Sequence, residues 1–324
     1  MHDLIPKVSV VIVNWNAKRY LLECLESLAG CAYRGNLEII VVDNNSSDGS
    51  QEAVRKEFPK VNLIRNSDNF GFAKANNIGI KQCTGEYIAL INSDVNVDAG
   101  CIAYLVDFLE KNPTVGMAGP RIIGGDGKQQ LSCRGFPSLW NMACRALALD
   151  VVFQNSEWAT GYQLPHRPDD RCSEVDILSG CFWLARRSAI DTVGLLDEAF
   201  FIYGEDMDWC KRFWSAGWPI VYVPFTASVH YGGASSANAP QRFFVEMQKA
   251  DLQYWIKHHS AGAVFMYKAI VFAHHGIRVV GHFAKSAIKS SSRQSHRHKV
   301  ACSLACIKWL LSYNKQQILN PVKA

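Results

Sequence analysis

After Asp251 the chain contains no Asp or Glu at all. Those last 73 residues carry 11 Lys+Arg and seven of the ten His, a formal net charge of +11. Residues 1–251 carry 23 Lys+Arg against 29 Asp+Glu, a net of −6. The overall +5 of the 324-residue chain is therefore a sum of two opposite regions, and such asymmetry gives the tail a partner of its own. Charge is scarce overall, at 19%, and apolar residues make up 48%. That excludes a disordered or collagen-like chain and leaves room for one large domain or two modest ones. The Gly-rich phosphate loops of P-loop and dinucleotide-binding proteins are missing, so those nucleotide sites are not expected. In the tail, charges interrupt every apolar run before about 18 residues, which argues against a spanning helix. The opening MHDLIPKVSVVIVNW lacks a basic stretch followed by a long apolar one, so no signal peptide is expected. The 11 cysteines are odd in number and irregularly spaced, which reads as reduced thiols in a cytosolic compartment. Cys302 and Cys306 stand four apart, but one pair is too few for a structural zinc site. There is no internal repeat.

The remaining sequence alternates strand and helix signals. VSVVIV (8–13) and EIIVVD (38–43) are continuous apolar runs of strands buried on both faces, and VNLIRN (61–66) and EYIALINSD (86–94) follow. Between them, Leu21, Leu22, Leu25 and Leu28 recur at helical spacing, and residues 50–57, 72–83 and 99–111 read as helices. This order predicts an α/β fold with a mostly parallel sheet and right-handed crossovers. Ligands of such sheets bind beyond the carboxyl ends of the strands, where NWN (14–16), DNNSSDG (43–49) and NSD (92–94) fall. Residues 124–173 are irregular and read as an insertion or substrate-side loop region. Residues 174–188 and 219–224 return to strand character, and 204–217 to a helix.

Several polar residues in these positions can carry chemistry. Asp94 ends a strand, where a carboxylate can hold a hard divalent cation together with ligand phosphates; a turn residue is the structural alternative. Asp43 closes the second strand and could accept from a ribose or a base, or form an Asx-turn or helix cap. Glu205, Asp206 and Asp208 crowd a helix start. The macrodipole alone would favour them there, but adjacent carboxylates also raise one pKa towards that of a general base. His230 lies in a small-residue loop after a strand and could be structural or a ligand.

Taken together and in order, these segments resemble glycosyltransferase family 2 with its GT-A fold, over roughly residues 7–235. VSVVIVNWN is similar to the first strand of that family, which places Asn14 near the donor. VVDNNSSDGS resembles the base- and ribose-binding segment, with Asp43 as nucleotide reader. NFGFAKANNIGI (69–80) is similar to the N-x-G-F-x-x-A-N-N-x-G pattern of rhamnosyltransferase-like members, which puts Asn69, Asn76 and Asn77 beside the donor. LINSDV stands where the DxD metal motif would be; Asn92 replaces its first acid, Ser93 lies towards the donor, and Asp94 is kept. GEDMDW resembles the late acidic motif, which makes Asp206 the catalytic base with Glu205 and Asp208 as supporting acids. SVHYGG is similar to a segment that supplies a His to the metal, here His230.

The resemblance implies an inverting transferase that uses a nucleoside-diphosphate sugar and Mg²⁺ or Mn²⁺. The implied reaction is L-rhamnose transfer from dTDP-rhamnose to a lipid-linked or polysaccharide acceptor in cell-surface glycan synthesis. A UDP-sugar hexosyl- or galactofuranosyltransferase is the alternative within the enzyme class, and a non-catalytic nucleotide-sugar-binding or scaffold protein the alternative outside it. The catalytic domain would span 1–250, with a nucleotide half at about 7–120 and an acceptor-side half at 121–250.

Residues 251–324 would then form a basic amphipathic tail. Drawn as a helix from 263 to 293, Lys268, His275, Arg278, His282, Lys285, Lys289 and Arg293 share one face. Phe265, Ile270, Phe272, Ile277, Val280, Phe283, Ala284 and Ile288 share the other. A helix of this kind fits an anionic membrane surface, on the inner face of the cell membrane; the alternative is a helix packed on protein with its basic face in water. Residues 290–299 read as a flexible basic link and 300–311 as a second short helix; no nucleic-acid-binding module is present.

Overall fold

The computed structural model describes residues 5–154, 156–161, 170–232, 240–288 and 293–313. Its strands are β1 (Val8–Asn14), β2 (Leu37–Asp43), β3 (Asn62–Arg65), β4 (Tyr87–Asn92), β5 (Val95–Val97), β6 (Met117–Gly124), β7 (Cys133–Arg134), β8 (Ser173–Glu174), β9 (Ile177–Leu178), β10 (Phe182–Arg186) and β11 (Ile220–His230). The helices are α1 (Lys18–Ala29), α2 (Ser50–Glu57), α3 (Gly71–Ile80), α4 (Cys101–Lys111), α5 (Leu139–Ala146), α6 (Leu149–Val152), α7 (Glu157–Thr160), α8 (Arg187–Val193), α9 (Glu205–Ser215), α10 (Pro240–His258), α11 (Ala261–Ile288) and α12 (Arg293–Ser312). Contacts divide the chain into two compact units. One holds Met1–Gly135, His166–Phe201 and Glu205–Ser235; the other holds Phe136–Pro165, Ile202–Gly204 and Ser236–Ala324.

The first unit is a nine-stranded sheet in the order β3-β2-β1-β4-β10-β6-β11-β5, with β8 beside β11. Its β3-β2-β1-β4 half is parallel, as the alternating pattern predicts. The other half is mixed: β10 runs antiparallel to β4 and β6, and β5 antiparallel to β11. The strand expected at 219–224 continues to His230 as β11, so His230 ends a strand and does not lie in the expected loop; the register shifts between Val223 and Ala227. Val8, Val10, Val11 and Ile12 of β1 are fully buried, each contributing about 1.5–3 kcal/mol relative to exposure. Leu21, Leu25 and Leu28 present the apolar stripe of α1 to this core. All 11 cysteines are free.

The second unit is helical. The irregular stretch around 124–173 contributes α5, α6 and α7 to it, and α5 packs against α11. The tail forms two long helices, and α12 already starts at Arg293, so most of the expected basic link is helical; Lys289 of the expected basic face and residues 290–292 of the link lie outside the described residues. In α11 the two faces separate as the 100° wheel predicts, but the apolar face is the outward one. Phe265, Phe272, Ile277, Val280 and Phe283 are exposed, while His275 is buried. The expected alternative, a packed helix with its basic face in water, is therefore corrected: the polar face is the packed one. Ala261–Ser286 also meets the length and composition of a membrane-crossing helix, unlike the expectation from charge spacing.

Candidate active site

Parallel register sets the first cluster. Asn14 at the end of β1 stands opposite Asp43 at the end of β2, and Val13 opposite Asn92 at the end of β4. Asp43, Asn14 and the Asn92–Asp94 turn thus form a row along one carboxyl edge, where a parallel sheet binds ligands. Asn14 Nδ2 donates to Asp43 Oδ2 (2.8 Å) and Ser46 Oγ (3.1 Å). Asp43 Oδ1 accepts from Gln51 Nε2 (2.6 Å) and the Ser46 amide (2.8 Å). Asp43 is fully buried, so its carboxylate orders the carboxyl edge of β1 and β2. Asn14 Oδ1 is buried with no partner, an orphan acceptor at the end of the first strand. Asp48 ties the two loops together by accepting from the Lys18 amide (2.8 Å) and the Ser50 amide (3.0 Å). Desolvation opposes its charge, but the hydrogen bond from the Ser50 hydroxyl, with those from the two amides, holds its pKa below the ordinary value.

The polar side chains of the NFGFAKANNIGI segment make internal hydrogen bonds. Asn69 Oδ1 accepts from the Gly71 amide (3.0 Å) and from Asn44 Nδ2 (3.2 Å). Gly71 has φ of +79°, and a Cβ there would lie 2.2 Å from the Phe201 carbonyl, so only glycine fits. Gly79 lies against Val11 and Val42, where a Cβ would sit 2.3 Å from a Val11 methyl. Asn76 Nδ2 donates to its own helix at the Phe72 carbonyl (3.0 Å). Asn77 brackets Leu196: Nδ2 donates to its carbonyl (2.8 Å) and Oδ1 accepts from its amide (3.0 Å). Both Asn76 and Asn77 are buried with these bonds.

Asp94 and His230 come together because β5 pairs with the end of β11, with His230 opposite Val95. His230 Nε2 lies 3.3 Å from Asp94 Oδ1, and the Tyr231 amide donates to the Asp94 carbonyl (3.0 Å). Gln130 orients the ring: its Nε2 donates to the His230 carbonyl (2.8 Å), which turns its Oε1 to His230 Nδ1 (2.9 Å). Gln130 Oε1 is an acceptor facing Nδ1, which leaves Nε2 directed at the Asp94 carboxylate. An imidazole nitrogen beside a carboxylate oxygen can pair with it directly or hold a cation with it, and a ligating His held through its other nitrogen is the usual arrangement. Ser93 and Asp94 are both mostly buried beside this pair. Among the described residues no three His, Cys, Asp or Glu converge on one point. The pair fits a Mg²⁺- or Mn²⁺-type ion only if substrate phosphates and water complete the shell.

The third cluster opens α9. Asp206 Oδ2 accepts from Arg134 Nη2 of β7, a strand fixed by its pairing with β9. Glu205 is buried, and its Oε2 has no hydrogen-bond partner. Desolvation, and then the Asp206 charge, push its pKa far above the carboxylate range. Glu205 is thereby the neutral acid and Asp206 the ion-paired one. Asp208 is turned elsewhere: it accepts from Arg212 Nε (2.9 Å), whose Nη1 donates to the Val193 carbonyl (3.0 Å). It braces α9 against the end of α8. Sequence reasoning missed Gln130 and Arg134. Both lie in the irregular stretch and belong to no periodic pattern; a lone Arg in LSCRGF is the one available signal.

A half-parallel sheet with carboxylates and an imidazole at one carboxyl edge is the GT-A fold of sugar-nucleotide transferases. A family model described as "Glycosyl transferase family 2" matches residues 9–194, and the chain belongs to that family. The N-acetylglucosaminyl-diphospho-decaprenol L-rhamnosyltransferase of Mycobacterium tuberculosis strain H37Rv is 31% identical over 272 residues, covering 80% of this chain and 86% of that protein. In structure, the mannosyltransferase PcManGT from Pyrobaculum calidifontis, solved with GDP-Man and Mn²⁺, aligns with a TM-score of 0.57 at 17% identity, covering 95% of this chain and 88% of that one. Staphylococcus aureus TarS 1–349 aligns with a TM-score of 0.52 at 15% identity, over 94% and 90% of the two chains.

Proposed function

We propose that this family 2 enzyme transfers L-rhamnose from dTDP-L-rhamnose, with inversion, to a sugar carried on a polyprenyl diphosphate at the inner face of the cell membrane. The observation that carries this reading is the 31% identity, over 80% of the chain, to a transferase named for an N-acetylglucosaminyl-diphospho-decaprenol acceptor. The residues support single displacement. Asn14, with its free Oδ1, and the loops ordered by Asp43 receive the nucleotide, and Ser93, in the turn after β4, would contact the donor. A divalent cation held by Asp94 and His230, Mg²⁺ or Mn²⁺, would neutralise the charge that develops on the departing diphosphate.

Asp206 takes the proton from the attacking acceptor hydroxyl. Arg134 holds its carboxylate in place, and the neutral Glu205 keeps a second negative charge away from it. No covalent sugar–enzyme intermediate is needed. In this reading residues 1–250 form the catalytic domain, and 251–324 associate with membrane through attraction of the +11 tail to anionic lipid.

The test is a panel of dTDP-, UDP- and GDP-sugars with Mg²⁺ or Mn²⁺ and a polyprenyl-diphosphate-linked N-acetylglucosamine acceptor. Acceptor-dependent consumption of dTDP-rhamnose is expected. Consumption of UDP-sugars alone would point to a hexosyl- or galactofuranosyltransferase, and no turnover with any donor would overturn the enzymatic reading.

A further inference from the structure

Helix α11 is inside-out for a water-soluble protein. Its polar face is the one packed against protein. Tyr267 stacks on Trp255 of α10 at 4.9 Å, His275 meets Gln248 of α10 (3.1 Å), and His282 meets His296 of α12 (3.2 Å). The opposite face is open. Phe265, Val280 and Phe283 are 67–71% exposed, Phe272 and Ile277 are exposed with them, and Ala269, Ala273 and Ala284 fill the gaps. At 1.5 Å per residue this 28-residue helix is about 42 Å long, so the open strip is far larger than the scattered apolar side chains of an ordinary surface.

A second apolar element belongs to the same unit. Leu147, Val151 and Val152 are 61–68% exposed. The exposed Trp140 and Trp158 pack ring on ring at 5.7 Å, and the Trp140 indole N–H donates to the Trp158 carbonyl (2.9 Å). Paired tryptophans flanking an aliphatic turn suit the boundary between headgroups and acyl chains.

We infer that the helical unit is inserted in one leaflet of an anionic bilayer: the Phe265–Phe283 face of α11 and the Trp140–Trp158 segment lie in the hydrocarbon boundary. This deepens the membrane-edge reading of the tail, and it changes the force from headgroup attraction to apolar burial. Charge decides between bilayer and a second copy as the occupant. Pairing two copies through this region would bring two +11 tails together, whereas anionic lipid offers the opposite sign. Packing decides the orientation. One side of α11 is covered by α10 and α12, so the helix lies along the interface and does not cross it.

The test is flotation of the full chain with vesicles of neutral phosphatidylcholine in about 1 M salt, where the Debye length is about 3 Å and charge attraction is screened. The wild-type chain is expected to float. The combined variant Phe272→Ser, Ile277→Ser, Val280→Ser and Phe283→Ser should partition at least about tenfold less, and Trp140→Ser with Trp158→Ser should weaken binding separately. Circular dichroism and thermal melting check that each variant is folded. Wild-type binding to anionic vesicles alone, with release by salt, would overturn the inference. So would full retention of both folded variants, or a lipid-free wild-type dimer that these substitutions convert to a monomer. Flotation reads no catalysis, so failure of every sugar donor would leave this outcome interpretable.

Discussion

Asn77→Ala separates a structural motif from a donor-binding one. Asn77 makes three hydrogen bonds: two with the Leu196 backbone and one from Nδ2 to Glu198 Oε1 (3.1 Å). Each contributes about 0.5–1.5 kcal/mol net, and truncation leaves a buried amide and carbonyl unpaired at about 1–3 kcal/mol. Alanine in a helix returns a few tenths to ~0.7 kcal/mol over asparagine. The expected loss is therefore about 2–4 kcal/mol, a fall in Tm of roughly 5–10 °C for a domain of this order. Donor affinity, measured by isothermal titration below the new Tm, should stay within about threefold, since a threefold change is under ~0.7 kcal/mol. An unchanged Tm combined with a large loss of donor affinity would refute the assignment and restore Asn77 to the donor pocket.

Three further outcomes follow from the same geometry. Gln130→Leu removes the acceptor that orients His230, so half-saturating Mn²⁺ in a transfer assay should rise about 10–100-fold, with turnover recovering at saturating metal. EDTA should abolish wild-type transfer and added Mg²⁺ or Mn²⁺ should restore it; transfer that survives EDTA would remove the metal roles of Asp94 and His230. Glu205 has a folded-state pKa above its unfolded one, so its contribution to stability declines as pH rises from about 4.3 towards that raised value. Glu205→Gln should flatten this part of a denaturation-versus-pH series, and an unchanged slope would contradict a neutral Glu205.

Some of this architecture was legible in the residues. The β-branched runs of β1, β2 and β4 are buried on both faces and read as continuous apolar strings, so the parallel half and its ligand edge were visible. The pairing of Asp94 with His230 was visible only through family resemblance, because 136 residues separate them and β11 brings them together. Periodicity does not distinguish an asparagine that binds a ligand from one that clamps a backbone, so Asn76, Asn77 and Asp208 carried functional readings where the structure gives them internal bonds. Gln130 and Arg134 act from irregular segments, and a short strand such as β7 leaves no periodic trace. The wheel of α11 was correct in its two faces, but a wheel does not say which face the protein covers. That is settled by the partners offered by α10 and α12.

The proposed reaction has Asp206, held by Arg134, as the base of a direct displacement. It is tested most directly by comparing Asp206→Asn with the wild type in donor binding and single-turnover transfer under saturating metal. Donor affinity should stay within about threefold, and the transfer rate should fall by about 10²–10⁴-fold. A variant that transfers sugar at the wild-type rate would contradict it.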